Sequence, residues 1–216
     1  MAGLRQSPGG TADAHHSGMR TEARRPVRSD IRPSQRERWQ VDPATSSLTF
    51  TLRHVVVQQI QGRFQRWGGR VAIDRDQPSL SEVELWVDLA SIDTDSVERD
   101  DHVRSPEFFD VARFPRATFK STSIALENER FRIEGLLDLH GIARPVEIEV
   151  TAYHETREGD VSRATFDASG SVNRQVFGLH WNQDLDVGGV VVGDRVELRA
   201  HVAAMRLPDG FEPAAR

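Results

Sequence analysis

The sequence predicts an all-β fold, namely an antiparallel β-barrel of about eight strands with a short helix near one end. Three observations support it: apolar and polar residues alternate with a period of two from Trp39 onward, turn signals separate the alternating runs, and several runs reach about eight to ten residues. An up-and-down barrel and a β-sandwich both fit this pattern. The long runs favour the barrel, because about eight such strands enclose room for side chains and one small ligand.

The clearest runs direct an apolar face toward a core and a polar face toward water. Their inward positions are Leu48, Phe50 and Leu52; Val83, Leu85, Val87 and Leu89; Phe131, Ile133, Gly135, Leu137 and Leu139; Val146, Ile148 and Val150; Phe166, Ala168, Gly170 and Val172; and Val196, Leu198, Ala200 and Val202. Turns are predicted between runs, for example at Glu127-Asn128-Glu129, Glu158-Gly159-Asp160 and Gly188-Gly189. The alternation therefore predicts both the strands and the side chains that face the interior.

A segment in the middle of the chain interrupts the alternation and predicts a short helix. Asp95 or Ser96 would cap its N-terminus, and about two turns would follow as far as Arg104. The helix should end at Ser105, because the residue before a proline is disfavoured in the helical conformation. The bulky pair Phe108-Phe109 comes next, so this segment is expected to plug or gate one end of the barrel.

Two tails are expected to flank the barrel. Residues 1–38 hold eight arginines and four acidic residues, a net charge of about +4, with almost no apolar periodicity. Such a segment buries too little apolar surface to offset its ordering entropy, so a disordered basic tail is expected; contact with a membrane surface or nucleic acid is the alternative. We therefore predict a tail at 1–38, a barrel domain at 39–206 and a C-terminal tail at 207–216.

Composition narrows the possible functions. The sequence contains no cysteine, which excludes disulfides, thiolate metal sites and a cysteine nucleophile. No apolar stretch approaches the roughly 18 residues of a membrane-spanning helix. With −5 for the chain and about +4 in residues 1–38, the remainder carries about −9, so no nucleic-acid binding is expected of the barrel. Residues 1–38 lack the apolar core of a secretory signal peptide, and a cytoplasmic location is expected.

Small residues on the inward face suggest an internal cavity. Gly135, Ala168, Gly170 and Ala200 leave volume that a core of normal density would fill. A matching apolar ligand gains contacts by filling such a space. The phenylalanines on or beside the strands fit either a packed core or the walls of a tunnel, and the alternation does not distinguish the two.

Several short motifs follow one another in a distinctive order. They are Trp39-Gln40-Val41-Asp42, Ser47-Leu48-Thr49-Phe50-Thr51-Leu52-Arg53-His54, Gly62-Arg63-Phe64, Ser91-Ile92-Asp93-Thr94, Arg99-Asp100-Asp101-His102-Val103-Arg104-Ser105-Pro106-Glu107-Phe108-Phe109-Asp110, Gly141-Ile142-Ala143-Arg144-Pro145-Val146 and Asn173-Arg174-Gln175-Val176-Phe177-Gly178-Leu179. In this order and spacing, the chain resembles the YceI-like family of polyisoprenoid- or lipid-binding proteins. The resemblance implies a lipocalin-like barrel, an elongated apolar tunnel and an isoprenoid-type ligand such as a polyprenyl diphosphate or a quinone.

The residues expected to contact this ligand combine the inward face with the motifs. His54 is in phase with the inward residues of its run, so it serves either as a satisfied core histidine or as a donor to a polar head group. His102 and Arg174 are expected to meet the head group as well. The full predicted set is Phe50, Leu52, His54, Phe64, His102, Phe108, Phe109, Phe119, Leu137, Leu139, Phe166, Arg174, Phe177 and Trp181.

Two other functions are considered. An enzyme acting on a small hydrophobic substrate would use Asp100 and His102 as acid and base. These residues lie about 200° apart around a helix, so a structural role, with an arginine–carboxylate pair fixing the helix to the rim, is favoured. A protein-binding barrel would use exposed apolar residues such as Trp86 or Leu136, for instance in a homodimer. We expect lipid carriage or storage, with no catalytic residue, no cofactor and no metal site.

Overall fold

The computed structural model describes residues 36–54, 58–181 and 192–208. Within these ranges the strands are β1 Glu37–Val41, β2 Ser47–His54, β3 Gln58–Phe64, β4 Trp67–Ile73, β5 Glu82–Asp88, β6 Ile92–Asp93, β7 Arg116–Glu127, β8 Arg130–Leu139, β9 Ile142–Glu158, β10 Val161–Asn173 and β11 Val192–Arg206, and the helix α1 is Val97–Arg104. Most of the predicted N-terminal tail, the turn at Gly188-Gly189 and the last residues of the C-terminal tail lie outside the described residues.

Eight strand positions close the barrel, each antiparallel to its neighbours. The order around it is β1, β4, β5, β7, β8, β9, β10 and β11, and β11 pairs back onto β1 with Trp39 opposite Arg206. The strands β2, β3 and β6 continue β1, β4 and β5 further along the barrel, because β2 pairs with β11 and β3, and β3 pairs with β6. Three neighbouring positions are thus each divided into two strands. The predicted barrel of about eight strands is confirmed.

Serine hydroxyl groups carry hydrogen bonding across the breaks between these paired strands. The Ser46 hydroxyl accepts from the backbone N–H of Ala203 at 2.8 Å and donates to the carbonyl oxygen of the same residue at 3.2 Å. The Ser91 hydroxyl accepts from Arg66 N at 2.9 Å and donates to Asp88 O at 2.6 Å. Backbone groups that would lack a strand partner are therefore satisfied by side chains.

One end of the barrel is filled by side chains, and we call it the packed end. Trp39 is completely buried there against Ala164 and Ala204, with Phe166 packed beside them. The next layer inward consists of Val41, Trp67 and Val202. The inward alternation of β1 and β11 supplies these residues, so the packed end follows directly from the period-two pattern.

The first strand of the barrel begins at Glu37, shortly before Trp39, and the last strand ends at Arg206. β1 starts at Glu37, whose carboxylate lies 2.7 Å from Arg75 Nη2 and 3.5 Å from Arg206 Nη1. Leu207 N donates to Arg38 O at 2.7 Å. The domain boundaries at Trp39 and residue 206 stay a prediction; the contacts of Glu37 and Arg38 join residues that are distant in the sequence and leave no signal in local composition.

The predicted helix is confirmed, with Ser96 as its N-cap. The Ser96 hydroxyl accepts from Arg99 N at 3.4 Å, and Ser105 N donates to His102 O as the helix ends. Asp95, the alternative cap, instead adopts a positive φ of 60° before the helix.

An arginine at the end of α1 fixes the helix to the barrel. Arg104 Nε donates to Ala90 O at 3.0 Å and Nη2 donates to Ile92 O at 2.6 Å. The predicted attachment by an arginine is therefore present, but its acceptors on the barrel are carbonyl oxygens rather than a carboxylate. The only carboxylate paired with Arg104 in the described part of the chain belongs to Asp101, on the helix itself. We call this end of the barrel, opposite the packed end, the helix end.

Candidate functional site

A cavity of about 260 Å³ lies inside the helix end of the barrel. Its described walls are apolar except for His54, Thr94, Arg99, His102 and Arg174. Many predicted ligand-binding residues line it, namely Phe50, Leu52, His54, Phe64, His102, Phe108, Phe109, Leu137, Leu139, Arg174 and Trp181. The structure therefore brings together, around one apolar space, residues that are far apart in the sequence.

A second apolar cavity of about 140 Å³ adjoins the first and extends toward the packed end. Phe119, another predicted ligand-binding residue, belongs to its walls, and the cavity reaches Trp67 and Val202. The side chains shared by both cavities are Leu48, Val87, Ala117, Leu137, Val172 and Leu198. The two spaces thus follow one another along the interior of the barrel, and we call them the upper and the lower cavity.

Two predicted ligand-binding residues are placed outside both cavities. Phe177 is 1% exposed and packs in the core with Leu89 and Leu179, and Phe166 packs at the packed end. The period-two pattern indicates which face of the sheet a side chain occupies, but it does not indicate the depth along the barrel. Both side chains pack among core residues in the structure, and their contact with a ligand stays a prediction.

The small inward residues differ in what they contribute. A Cβ atom at Gly135 would lie 2.4 Å from Phe119 Cζ, so the phenylalanine ring already fills the volume that this glycine leaves. Ala168, Gly170 and Ala200 line the lower cavity instead. The cavity predicted from small residues therefore depends on these three positions, and the expectation for Gly135 is corrected.

Aromatic rings surround the upper cavity beside α1. The ring centroids of His102 and Trp181 lie 4.4 Å apart in an edge-to-face arrangement, and Phe108 lies 6.4 Å from Trp181. The His102 side chain lines the cavity yet is 34% exposed. The upper cavity therefore reaches the protein surface near these rings.

The Arg174 side chain is nearly fully buried and all of its donors are used within the protein. Its Nη1 donates to Leu179 O and Trp181 O, its Nη2 to Val192 O and Asp194 Oδ1, and its Nε to the carbonyl of residue 193. A guanidinium group has five N–H donors, so none is left for a ligand. Burial lowers the pKa of Arg174, which nevertheless stays charged as arginines do. Arg174 thus joins two chain segments, and the contact with a head group that we predicted for it is replaced by this role.

A hydrogen-bonded chain of three residues lies at the start of α1. The Asp100 carboxylate accepts from Thr94 N at 3.0 Å and from the Thr94 hydroxyl at 2.6 Å. The Thr94 oxygen atoms in turn accept from Arg99, Oγ1 from Nε at 2.8 Å and the carbonyl from Nη2 at 2.6 Å. Thr94 and Asp100 are 5% and 6% exposed, so the chain holds the guanidinium group of Arg99 in a fixed orientation at the cavity wall.

Asp100 and His102 have different partners. Asp100 is buried against Thr94 and lies outside the lining of both cavities, whereas His102 Nε2 lies 3.2 Å from Glu107 Oε2. An acid and base pair would need both groups to face one reacting molecule. The two side chains do not share a cavity wall, as their spacing on a helix predicted.

His54 lies at the end of β2 and lines the upper cavity, opposite Val192 in the sheet.

Within residues 36–54, 58–181 and 192–208, no three His, Cys, Asp or Glu side chains are grouped in a way that could hold a metal ion. In those same ranges, none of the helices has the length and apolar character needed to cross a membrane.

The family model of the YceI-like domain matches residues 39–204 of this chain. The chain belongs to this family. Among curated relatives, protein YceI of Salmonella newport (strain SL254) is 35% identical over 136 residues, which cover 61% of this chain and 70% of that protein. The YceI-like match thus extends from within β1 to within β11, and it confirms the resemblance predicted from the motifs.

Solved structures of similar fold come from several bacteria. BcnA of Burkholderia cenocepacia is 26% identical with a TM-score of 0.64, and the alignment covers 76% of this chain and 98% of BcnA. The YceI protein of Campylobacter jejuni is 19% identical with a TM-score of 0.60, and the alignment covers 72% of this chain and 90% of that protein. A polyisoprenoid binding domain from Saccharophagus degradans is 17% identical with a TM-score of 0.54, and the alignment covers 78% of this chain and 98% of that domain. The last two likenesses concern the fold alone.

The walls of the upper cavity include residues that were not among the predicted ligand contacts. Several apolar ones, such as Leu48 and Leu198, were predicted to face inward, and the alternation could have placed them in the site. Thr94 and Arg99 belong to the motifs of the family, but their joint position at the wall depends on the buried contact with Asp100. That contact has no separate signal in the sequence.

Proposed function

We propose that this protein binds a long-chain isoprenoid-type lipid, such as a polyprenyl diphosphate, a quinone or a similar amphiphile, inside the barrel and carries or stores it. The observation that carries the proposal is the pair of adjoining apolar cavities of about 260 and 140 Å³, of which the upper reaches the surface. Membership in the YceI-like family, and the likeness to a polyisoprenoid binding domain, support the same ligand class.

The size and character of the cavities support an apolar chain as the occupant. An apolar cavity of about 150 Å³ stays dry and accommodates a molecule such as benzene, and the upper cavity alone is larger. Each buried CH₂ contributes about 0.8 kcal/mol, so a chain that fills both cavities binds tightly even after the cost of association is subtracted. Arg99 and His102 line the upper cavity, which reaches the surface beside His102, and this favours a head group there and a tail toward the packed end.

Carriage or storage is proposed rather than catalysis. The candidate acid and base, Asp100 and His102, are engaged with Thr94 and Glu107 and do not face a common space. An apolar interior with few polar groups holds a ligand by burial of surface, and it offers little to stabilise a developing charge.

Extraction of the purified protein tests the proposed function. The full-length protein is extracted with organic solvent, and the extract is analysed by mass spectrometry beside an extract of a purified control protein from the same host. A co-purified lipid, or saturable uptake of added polyprenol or ubiquinone, is the expected result. Absence of a co-purified lipid together with no uptake of either probe would contradict it.

The expected homodimer and cytoplasmic location are kept as part of this proposal. Leu136 is 47% exposed on the outer face, which is consistent with an interface between barrels. Trp86 is a weaker candidate, because its ring covers the backbone of Gly68 and lies 5.2 Å from the guanidinium carbon of Arg116. Light scattering coupled to size-exclusion chromatography measures the oligomeric state, and cell fractionation measures the location.

A further inference from the structure

One cationic side chain on the wall of the upper cavity has donors that the protein does not use. Arg99 lines the cavity, and its Nε and Nη2 each donate to Thr94. A guanidinium group has five N–H donors, and within the described part of the chain no acceptor lies within hydrogen-bonding distance of Arg99 Nη1. The edge formed by Nη1 and the second N–H of Nη2 is therefore open, and this edge has the fork geometry that matches a carboxylate or a phosphate.

The environment of Arg99 selects the charge of what binds there. The polar residues among the described residues that line the upper cavity are histidines, arginines and a threonine. None of the described residues that line the upper cavity is an Asp or a Glu. His102 lies three residues after Arg99 on α1, and Val103 four residues after, so all three face the cavity from one side of the helix. An apolar cavity with an open guanidinium edge favours a negative group and disfavours a positive one.

The buried Thr94 and Asp100 act as positioning residues for this edge. The Thr94 hydroxyl donates its proton to Asp100, so its lone pairs are directed at Arg99 Nε. Both Thr94 and Asp100 are more than nine-tenths buried, which fixes the guanidinium group before any ligand arrives. Preorganised donors of this kind reduce the entropy cost of binding.

We propose that the head group of the ligand is an anion, a carboxylate or a phosphate, bound by the open edge of Arg99 beside His102. This inference rests on the proposed function, because it assigns the polar end of the same lipid whose tail occupies the cavities. It selects anionic amphiphiles from the proposed ligand class and places quinones and free polyprenols among the weaker binders.

Ligand pairs that share a tail test the inference directly. Binding to the full-length protein is measured by calorimetry for farnesyl phosphate against farnesol, and for dodecanoate against dodecanol. Each anion should bind about tenfold or more tightly than the alcohol with the same tail, since a hydrogen bond to a charged group contributes at least that factor. The pair with the larger ratio shows whether the site takes a phosphate or a carboxylate.

Substitution of Arg99 locates the effect. R99Q should weaken binding of the anions about tenfold or more and leave the alcohols within about twofold, and R99K, which keeps the charge but lacks the fork, should lie between. R130Q is the matched control, because Arg130 is an exposed arginine paired with Glu149 on the outer face. It should leave all four affinities unchanged.

The outcomes separate the inference from the proposed function. Equal affinities of wild type for anion and alcohol in both pairs would overturn the anionic head group while leaving the lipid-binding barrel intact. Failure of all four ligands to bind would count against the proposed function itself. An equal loss of anion and alcohol in R99Q would show that Arg99 only supports the fold. If R99Q does not fold, as judged by its thermal unfolding, R99K and the wild-type ratios decide the question.

Discussion

The Nη1 atom of Arg174 donates a hydrogen bond of 2.6 Å to the carbonyl oxygen of Leu179, and the two residues are only 2% and 3% exposed. The same guanidinium group also bonds to the carbonyl oxygen of Val192 at 3.1 Å. One buried side chain thus joins the segment that follows β10 to the start of β11. Buried carbonyl groups in both segments depend on it for their hydrogen bonds.

Replacement of Arg174 should therefore destabilise the fold strongly. R174Q leaves several buried carbonyl groups unsatisfied, and we expect a loss of about 3 kcal/mol or more in the free energy of unfolding. R174K retains some donors and should lose less. Urea denaturation measures the change, with R130Q as a control expected to stay within about 0.5 kcal/mol. A loss in R174Q no larger than that of the control would contradict the role assigned to Arg174.

The Ser91 hydroxyl should matter for stability although its side chain is small. S91A removes the acceptor of Arg66 N and the donor to Asp88 O, and it should cost about 1 to 3 kcal/mol. Ser79, an exposed serine before β5, provides the control S79A, for which almost no change is expected. Thermal and urea unfolding of the two variants would make the comparison. Similar stability of both would argue against a bridging role for Ser91.

The lower cavity should determine how long a chain the protein accepts. Ala200 lines the lower cavity but not the upper one, so A200L fills space that only a long tail reaches. We expect weaker binding of geranylgeranyl phosphate and nearly unchanged binding of geranyl phosphate, with about fourfold lost per excluded CH₂. Calorimetry with the two ligands measures the difference. An equal effect on both chain lengths would indicate general overpacking instead.

The only tyrosine of the sequence provides a direct test of the ionic contacts at the packed end. Burial, aided by the hydrogen bond to Glu155, raises the pKa of Tyr153 to about 12. Ultraviolet titration of tyrosinate should therefore give a midpoint near pH 12 in the folded protein and about 10 in denaturant. The stability linked to this group is complete below about pH 10 and is lost as pH rises toward 12. A midpoint near 10 in the folded state would refute the contact.

The partner of Tyr153 acts at the other end of the pH range. The hydrogen bond from Tyr153, and then the Arg75 guanidinium group, hold the pKa of Glu155 below its ordinary value. A lowered pKa contributes stability above the pKa of the unfolded state, and this stability is lost as pH falls through the folded value. The unfolding free energy of E155Q should accordingly decline less steeply in acid than that of wild type. Urea denaturation between neutral pH and about pH 3 would show the difference.

The fold could be predicted from the sequence because its main determinant is local. Alternation along β2, β8 and β11 indicates which side chains face inward, and a proline after Ser105 indicates where α1 ends. The division of three strand positions into pairs could not be predicted in this way. At these breaks Ser46 accepts from Ala203 N and Ser91 accepts from Arg66 N, and contacts between residues so far apart in the sequence leave no local signal.

The site could be predicted only in part, for a related reason. The period-two alternation predicted that Phe50 and Leu137 face inward, and both line the upper cavity. It predicted the same for Phe166, which lies at the packed end. The alternation along a strand does not indicate how far along the barrel axis a side chain lies, because that position depends on the stagger of neighbouring strands. For charged residues the sequence indicates only that a charge is present. Whether its donors are used, as in Arg174, or open, as in Arg99, depends on the acceptors that the fold places around it.

The breaks between β1 and β2, β4 and β3, and β5 and β6 have a consequence for how a ligand enters and leaves. All three lie side by side at one level of the barrel, so on that side the wall around the upper cavity is a separate patch of short strands. This patch can loosen while the long strands and the packed end stay intact, because local opening needs only the bonds of the patch to break. Amide hydrogens of Gln58–Phe64 should exchange faster than those of Trp67–Ile73. We therefore expect a ligand in the upper cavity to leave on the timescale of a local fluctuation rather than of global unfolding.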